Sequence, residues 1–377
     1  MLLRRKGLRL ARTGKQQNQE RLIHLLRKEK EVTKQEIARR LNLSMPTVLN
    51  MTDSLLKTGL LEECGMNEST GGRRARTLAL KKNLMFGVGI RLGRKNVEMV
   101  VTDLMGNVIA NQMFPFVYED KIEWYRTLGI ALLDFLDEHK IKGNKVLGVG
   151  ISIPGIVSES ENQLVRSHVF DMEKVSLDRF YKNILFPLVI ANDANCGCFS
   201  EMDSGYNNFL YVALNESVGG GVVVRRELII GETWQAGEIG HMILYPEGRP
   251  CYCGKKGCAD AYLSTEALLE GNETLESFFK EVHAGYEGAL ERWDRYLGDL
   301  AIFLTNLRMI TNTRLIIGGE IGDYMEPYLG ELENKMMQYD LFARDIDYIF
   351  PCTKHKHTLA QGAAMLAMER NLGNLLG

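Results

Sequence analysis

The sequence lacks an apolar run long enough to cross a bilayer. Its longest, Val146 to Val157, is broken by glycines and falls short of the roughly 20 residues a spanning helix needs. The N-terminus, Met1-Leu2-Leu3-Arg4-Arg5-Lys6, is basic but has no apolar core of the roughly 7–15 residues found in a secretory signal, so a cytoplasmic protein is expected. An even set of cysteines is also missing: there are seven in 377 residues, three of them between Cys251 and Cys258, which favours a metal or free thiols over a disulfide framework. Nor is there an overall excess of one charge, since 46 Lys+Arg face 48 Asp+Glu for a net −2. That balance conceals an asymmetry. Residues 1–82 hold 19 basic and 8 acidic residues, whereas the remainder holds 27 and 40. A compact basic segment suits a partner rich in phosphates; the acidic remainder would be repelled by DNA and must do something else. The length implies more than one hydrophobic core.

The basic segment reads as a winged helix-turn-helix. After a tail holding Arg4, Arg5, Lys6, Arg9, Arg12 and Lys15, the apolar spacing of Leu22, Ile23, Leu25 and Leu26 predicts a first helix. Thr33 stands three residues before Glu36, a capping-box spacing, and opens a second helix with Ile37, Ala38 and Leu41 inward. Asn42-Leu43 forms the turn. Ser44 caps a third helix with Pro46 in its first turn and Val48, Thr52, Leu55 and Leu56 facing the core, which leaves Ser44, Thr47, Asn50 and Met51 outside. Small polar residues at the start of such a helix suit reading of base edges in a major groove. Leu60 to Glu63 and Thr77 to Leu80 read as two strands flanking Gly71-Gly72-Arg73-Arg74-Ala75-Arg76, a loop whose arginines suit a narrow minor groove. Ser44, Thr47, Asn50, Arg73, Arg74 and Arg76 are therefore the candidate DNA contacts, against the plainer reading of a helical scaffold with a solvated basic loop.

From Leu84 the pattern changes to short β-rich runs: Phe86 to Leu92, Val97 to Asp103 and Val108 to Phe114, a helix near Ile122 to His139, then Val146 to Ile153 and Pro187 to Ala191. A second series follows, with Phe209 to Leu214, Gly220 to Arg225, Glu227 to Ile230, a long helical region and Arg314 to Ile317. The repeated order predicts two α/β lobes around a cleft. Ligands in such folds sit beyond the carboxyl ends of strands, where Pro154-Gly155, Asn192-Asp193 and Gly318-Gly319 fall.

The sharpest motif is Gly237-Glu238-Ile239-Gly240-His241, followed ten residues later by Cys251-Tyr252-Cys253-Gly254-Lys255-Lys256-Gly257-Cys258. One imidazole and three thiolates make a tetrahedral set, and the glycines allow a tight turn that points the sulfurs inward. His241, Cys251, Cys253 and Cys258 are thus candidate ligands of a closed, structural zinc.

Together these stretches, with Gly150 to Gly155, Asn192-Asp193-Ala194-Asn195, Gly219-Gly220-Gly221 and Ala236 to Met242, resemble the ROK family of sugar-responsive bacterial repressors and sugar kinases. The resemblance implies an α/β fold in which a winged helix-turn-helix precedes a two-lobed, actin-like ATPase/sugar-kinase (ribonuclease H-like) core. The division it suggests is a tail at 1–15, a DNA-binding domain at 16–82, a first lobe at 83–198 completed by a C-terminal helix at 358–377, and a second lobe with the zinc loop at 199–357. By resemblance, Gly155, Asn192, Asp193, Glu238, His241 and Asp260 form the sugar site, His241 also serving the zinc.

Departures from the kinases are as informative. Where they resemble Asp-x-Gly-Gly-Thr, this chain has Gly89-Ile90-Arg91-Leu92-Gly93-Arg94, and their Gly-Thr-Gly loop is replaced by Asn215-Glu216-Ser217, which sets a carboxylate among the phosphates. Asp260 stands where the family usually has Glu. No catalytic residue is therefore expected, although Asp193 would be the base if the chain were a kinase. The expectation is a repressor of a carbohydrate-utilisation operon, a homodimer that binds operator DNA and a sugar effector; a sugar kinase carrying a DNA-binding domain, or a regulator answering a protein or phosphosugar, are the alternatives. Cys196 and Cys198 read as small buried hydrophobes, Met336-Met337 as core or interface, and Leu359 to Leu372 as a helix packed on the first lobe. His355 and His357 flank Lys356 in a polar connection, a second metal there being the alternative reading.

Overall fold

The computed structural model describes residues 13–66, 76–342, 345–354 and 356–376. Helix α1 (Gly14–Glu29) starts earlier than the residue pattern suggests, because Thr13 and Gln16 form a reciprocal capping box; Lys15 accordingly lies in the helix and not in a tail. Strand β1 (Glu31–Thr33) follows, and Thr33 and Glu36 then cap α2 (Lys34–Leu41), which ends on Asn42 in the left-handed region at φ 53°. Ser44 caps α3 (Met45–Lys57). Strands β2 (Leu61–Met66) and β3 (Arg76–Leu80) complete an antiparallel sheet in the order β1-β3-β2. Sequence reading missed β1, since three residues leading into a helix carry too little alternation to register. It also misplaced Met51, which is 4% exposed: three residues beyond Val48 and four before Leu55, it shares their buried face.

The next stretch builds a first five-stranded sheet. Strands β4 (Phe86–Leu92), β5 (Asn96–Thr102) and β6 (Val108–Pro115) form an antiparallel meander, α4 (Ile122–Glu138) crosses over, and β7 (Val146–Ile153) pairs parallel to β4. A small sheet of β8 (Ile156–Ser158), β9 (Gln163–Ser167) and β10 (Met172–Ser176), absent from the sequence reading, precedes α5 (Asp178–Asn183) and β11 (Leu188–Asn192), which pairs parallel to β7. Helix α6 (Asp193–Glu201) then leads to a second sheet of the same topology: meander β12 (Phe209–Leu214), β13 (Val218–Val224) and β14 (Glu227–Ile229), then α7 (Asp260–Leu263), α8 (Thr265–Leu268), α9 (Leu275–Ala284), α10 (Glu287–Thr311) and β15 (Arg314–Gly318). Helices α11 (Gly319–Gly322) and α12 (Leu329–Met336) and strand β16 (Ile349–Pro351) close it. The last helix is α13 (Thr358–Asn371).

Helix α13 is wedged between the first sheet and α6, and the glycines of β4 and β7 make that possible. A methyl at Gly89 would sit 1.7 Å from the Ala360 carbonyl oxygen, one at Gly150 1.9 Å from that of Ala363, and one at Gly362 1.8 Å from that of Cys196. With Ala360, Ala363, Ala364 and Ala367 all at zero exposure, α13 is apolar nearly all round, as a helix buried on several sides must be. Its other end joins the core of the N-terminal elements, where Met365, Met368 and Leu372 pack with Leu22, Leu26, Val48 and Leu55. Cys196 and Cys198 are buried as expected, Met336 is core and Met337 is 42% exposed. Among the described residues no helix is long and apolar enough to cross a membrane.

Candidate functional site

Three strand ends and one turn of helix converge on a cleft between the two sheets. Asn192 ends β11 and caps α6, so its side chain is committed to the backbone: Nδ2 donates to the Gly155 carbonyl at 2.9 Å and Oδ1 accepts from Asn195 N at 3.2 Å. That costs it part of the hydroxyl-binding capacity expected of it. Gly155 itself is needed at φ 131°, and a Cβ there would lie 2.4 Å from the Arg166 carbonyl oxygen, so it serves the site by shaping the loop. Asp193 accepts from Ala194 N at 2.9 Å, and burial pushes its carboxyl above the usual range against the pull of Arg91.

Glu238 and His241 come from the opposite wall, on the 3-10 turn Ile239–His241 and the residue before it. Burial, then the charges of Asp193 and Asp260, raise the Glu238 carboxyl to about 7. Asp193, Glu238 and Asp260 therefore do converge, with Asp260 also held by protein partners. It is 3% exposed, and its Oδ2 accepts from Val218 N at 2.7 Å and from the Tyr252 hydroxyl at 3.2 Å; it fastens the start of β13 to the cysteine loop. Sequence reading missed His168 and Tyr252. The two rings lie 4.3 Å apart, and both face His241 edge-on. Tyr252 was detectable as the residue between two ligand cysteines; His168, a lone histidine after β9, had no signal.

His241 has two faces. Its Nδ1 lies 3.8 Å from the Cys251 sulfur, while Nε2 lies 3.9 Å from the Glu238 carboxylate. The Cys253 and Cys258 sulfurs are 3.6 Å apart, and all four potential ligand atoms fall within 4.8 Å of one another. Four ligands about 2.0–2.3 Å from a common tetrahedral centre stand about 3.5–3.8 Å apart, so the cluster has the dimensions of a metal cage. Gly257, at φ 78° with the Tyr245 carbonyl oxygen 1.7 Å from where a Cβ would be, makes the turn that closes it.

The other half of the cleft is crossed by protein charges. Arg91 of β4 donates to Glu320, the residue after Gly319, at 2.7 Å, and Arg94 lies 3.6 Å from Glu266. Behind them a cavity of about 20 Å³, lined by Arg91, Gly93, Pro154, Asp193, Asn215 and Glu216, has room for about one water. Burial raises the Glu216 carboxyl, with Arg94 pulling the other way.

The candidate DNA contacts are partly placed. Ser44, Thr47 and Asn50 are exposed on α3, with the Ser44 and Thr47 hydroxyls 2.8 Å apart. Arg76 begins β3 and is ion-paired to Glu63, an engagement that sequence reading did not foresee. Arg73, Arg74 and His355 lie outside the described residues, as does most of the expected tail. His357 is paired through Nδ1 with the buried carboxylate of Glu98 at 2.5 Å, and among the described residues no cluster of potential metal ligands includes it.

Among known proteins, the chain is 27% identical to the xylose repressor of Bacillus subtilis over 80% of this chain and 82% of that protein. It is 23% identical to the DNA-binding transcriptional dual regulator NagC of Escherichia coli over 96% of this chain and 95% of that one. Among solved structures, a ROK family transcriptional regulator described as a homolog of the E. coli MLC protein superposes with a TM-score of 0.76 at 19% identity, covering 95% of this chain and 98% of that one. A ROK family glucokinase from Streptomyces griseus, in complex with glucose and AMPPNP, superposes at 0.66 with 20% identity over 75% of this chain and 99% of that one. These likenesses share the two-sheet α/β fold. The family model for ROK matches residues 87–370, three quarters of the sequence, and the chain belongs to the ROK family.

Proposed function

We propose that the protein is a sugar-responsive transcriptional regulator, a repressor whose operator affinity is set by a sugar held between the two sheets. The observation that carries this reading is the division of labour in the cleft: a converging set of carboxylates and an imidazole on one side, and on the other a phosphate region crossed by the Arg91–Glu320 pair and narrowed by Glu216. Carboxylates accept sugar hydroxyls in pairs, whereas a carboxylate facing a triphosphate repels it. The names of the relatives, a xylose repressor and a transcriptional regulator, agree with this division.

In this reading α1 to α3 with strands β1 to β3 are a winged helix-turn-helix at 16–82, preceded by a basic tail, in which Ser44, Thr47 and Asn50 read bases and Arg73, Arg74 and Arg76 hold the backbone or minor groove. The lobes are those proposed above, at 83–198 with 358–377 and at 199–357, although α6 runs unbroken through position 198. Asp193, Glu238 and His241 bind the sugar; Gly155, Asn192 and Asp260 hold the loops around it. His241, Cys251, Cys253 and Cys258 hold zinc, which supplies a fixed tetrahedral cross-link and no chemistry. The protein acts in the cytoplasm as a homodimer matched to two half-sites.

Asp193, half-buried in the cleft near Arg91, favours a second reading as a sugar kinase with a DNA-binding segment. Calorimetry with a sugar panel beside a coupled ADP-release assay separates the two. Sugar binding without turnover is expected; sustained sugar-dependent ADP release would overturn the regulator reading.

A further inference from the structure

Helices α6 and α13 lie against each other, with Gly362 over Cys196, and run the same way: both begin at the cleft and both end under α1. Helix α6 opens with Asn192 and Asp193. Helix α13 opens behind His357, whose partner Glu98 also acts on Arg91. At the far ends stand Asp203, two residues past α6, and Glu369, in the last turn of α13. Between these carboxylates sit two cations of α1. His24 Nε2 is 3.1 Å from Glu369 and its Nδ1 3.7 Å from Asp203; Arg27 Nη1 is 3.5 Å from Glu369 and 3.9 Å from Asp203. Arg27 Nε also donates to the Leu104 carbonyl at 2.9 Å, tying in the β5–β6 turn, and Arg226 of the β13–β14 turn donates to Asp203 at 3.1 Å. One socket thus touches α1, both helices and both sheets.

We propose, resting on the regulator reading above, that His24, Arg27, Asp203 and Glu369 are positioning residues that convert movement at the sugar end of α6 and α13 into reorientation of the DNA-binding helices. A helix transmits displacement along its axis, and the 9 residues of α6 carry Asp193 and Asp203 at opposite ends of a rod about 13 Å long. Cations at the carboxyl ends of two parallel helices are favoured by both dipoles. The Arg27 side chain is 3% exposed, so displacing its carboxylates leaves a buried charge short of partners and penalises one lobe arrangement against the other. The apolar packing of Met365, Met368 and Leu372 keeps α1 docked in either state. The socket therefore sets orientation, not attachment.

The test uses the full chain, a duplex selected in vitro for binding to it, and a panel of D-xylose, D-glucose, N-acetylglucosamine and N-acetylmannosamine. Duplex affinity is measured with and without the sugar that binds, and sugar affinity with and without duplex, because the two changes must be equal. If the wild type binds no sugar of the panel, or its duplex affinity ignores the sugar, the regulator reading fails. If the wild type responds by the 5–150-fold usual for coupled sites, Asp203→Asn and Glu369→Gln should each bring the response to within about threefold of unity while still binding the sugar in the absence of DNA. Asp203→Glu should restore part of it. A readout that mere support would not move is the pH profile: with Asp203, Glu369 and Arg27 as the groups facing His24, the wild-type response should decline as His24 loses its proton near pH 9 and stay flat in His24→Gln. A response equal to wild type in both carboxamide variants, with no decline in the wild type between pH 7 and 10, would overturn the socket's role.

Discussion

The His24 site yields a stability prediction that needs neither sugar nor DNA. Burial alone would lower the imidazole pKa, but the nearby carboxylates, Asp203 at 3.7 Å from Nδ1 and Glu369 hydrogen-bonded to Nε2, outweigh it and bring it from 6.5 up to about 9. A group whose pKa rises on folding stabilises the fold fully below its unfolded value, here 6.5, and loses that contribution as pH rises towards the folded value. At about 1.4 kcal/mol per tenfold change in proton affinity, the ceiling is about 3 kcal/mol. The His24 side chain keeps 28% of its surface exposed, so solvent screening brings the expectation to about 1–2 kcal/mol. Urea unfolding of the wild type and of His24→Gln should therefore differ by that amount at pH 6, progressively less from pH 7 upward, and negligibly near pH 10. The carboxylates set the opposite limb: Glu369 is held down at about 2 and Asp203 lower still, burial being outweighed in both by His24 and Arg27, so their contribution is present above about pH 4.5 and disappears as pH falls through 2. A difference between the two proteins that stays constant from pH 6 to 10 would refute the charged-pair account and leave only lost packing.

Loss of the proposed zinc is expected to loosen the second sheet: Cys258→Ser, at a site with zero exposure, should cost at least about 2 kcal/mol and lower the melting temperature by roughly 5 °C, with zinc present in the wild type and absent from the purified variant by elemental analysis. Gly150→Ala should destabilise by about 1–3 kcal/mol or more in chemical unfolding, because the atom its methyl meets is the Ala363 backbone carbonyl, which cannot rotate aside. Met51→Ala should cost about 2–5 kcal/mol of stability, whereas its neighbour Asn50→Ala should leave melting within about 0.5 kcal/mol and change base preference by about 1–3 kcal/mol in a binding-site selection.

What could be read from the residues was what is local. Thr33 with Glu36, Ser44 ahead of Pro46, and the strands Phe86–Leu92, Val146–Ile153 and Phe209–Leu214 follow from capping and hydrophobic runs within a dozen positions. The cysteine cluster was legible for the same reason: three of its four potential ligands fall in eight residues, and the fourth is ten away. Met51 was lost because a helical face is decided by phase, and one residue of drift moves a side chain from solvent to core. Strands β8 to β10 were lost because three to five residues with mixed polarity carry no period.

The features that bear most on function are those that sequence proximity cannot supply. Arg91 was visible only as a departure from the kinase pattern; its partner Glu320 is 229 positions away, and His24 meets Glu369 across 345. Neither pair has a sequence spacing to reveal it: the first joins the two sheets, and the second forms because α13 returns to α1, an approach that the glycines of β4 and β7 allow. Close packing at those glycines and ion pairing at the helix ends are consequences of one geometric choice, the wedging of the last helix between sheet and α6. A substitution that lifts α13, such as Gly150→Ala, should therefore weaken more than stability: it should also spread the His24–Glu369 contact and reduce the pH dependence attributed to it. That ties a packing defect in the first sheet to a titration measured at α1.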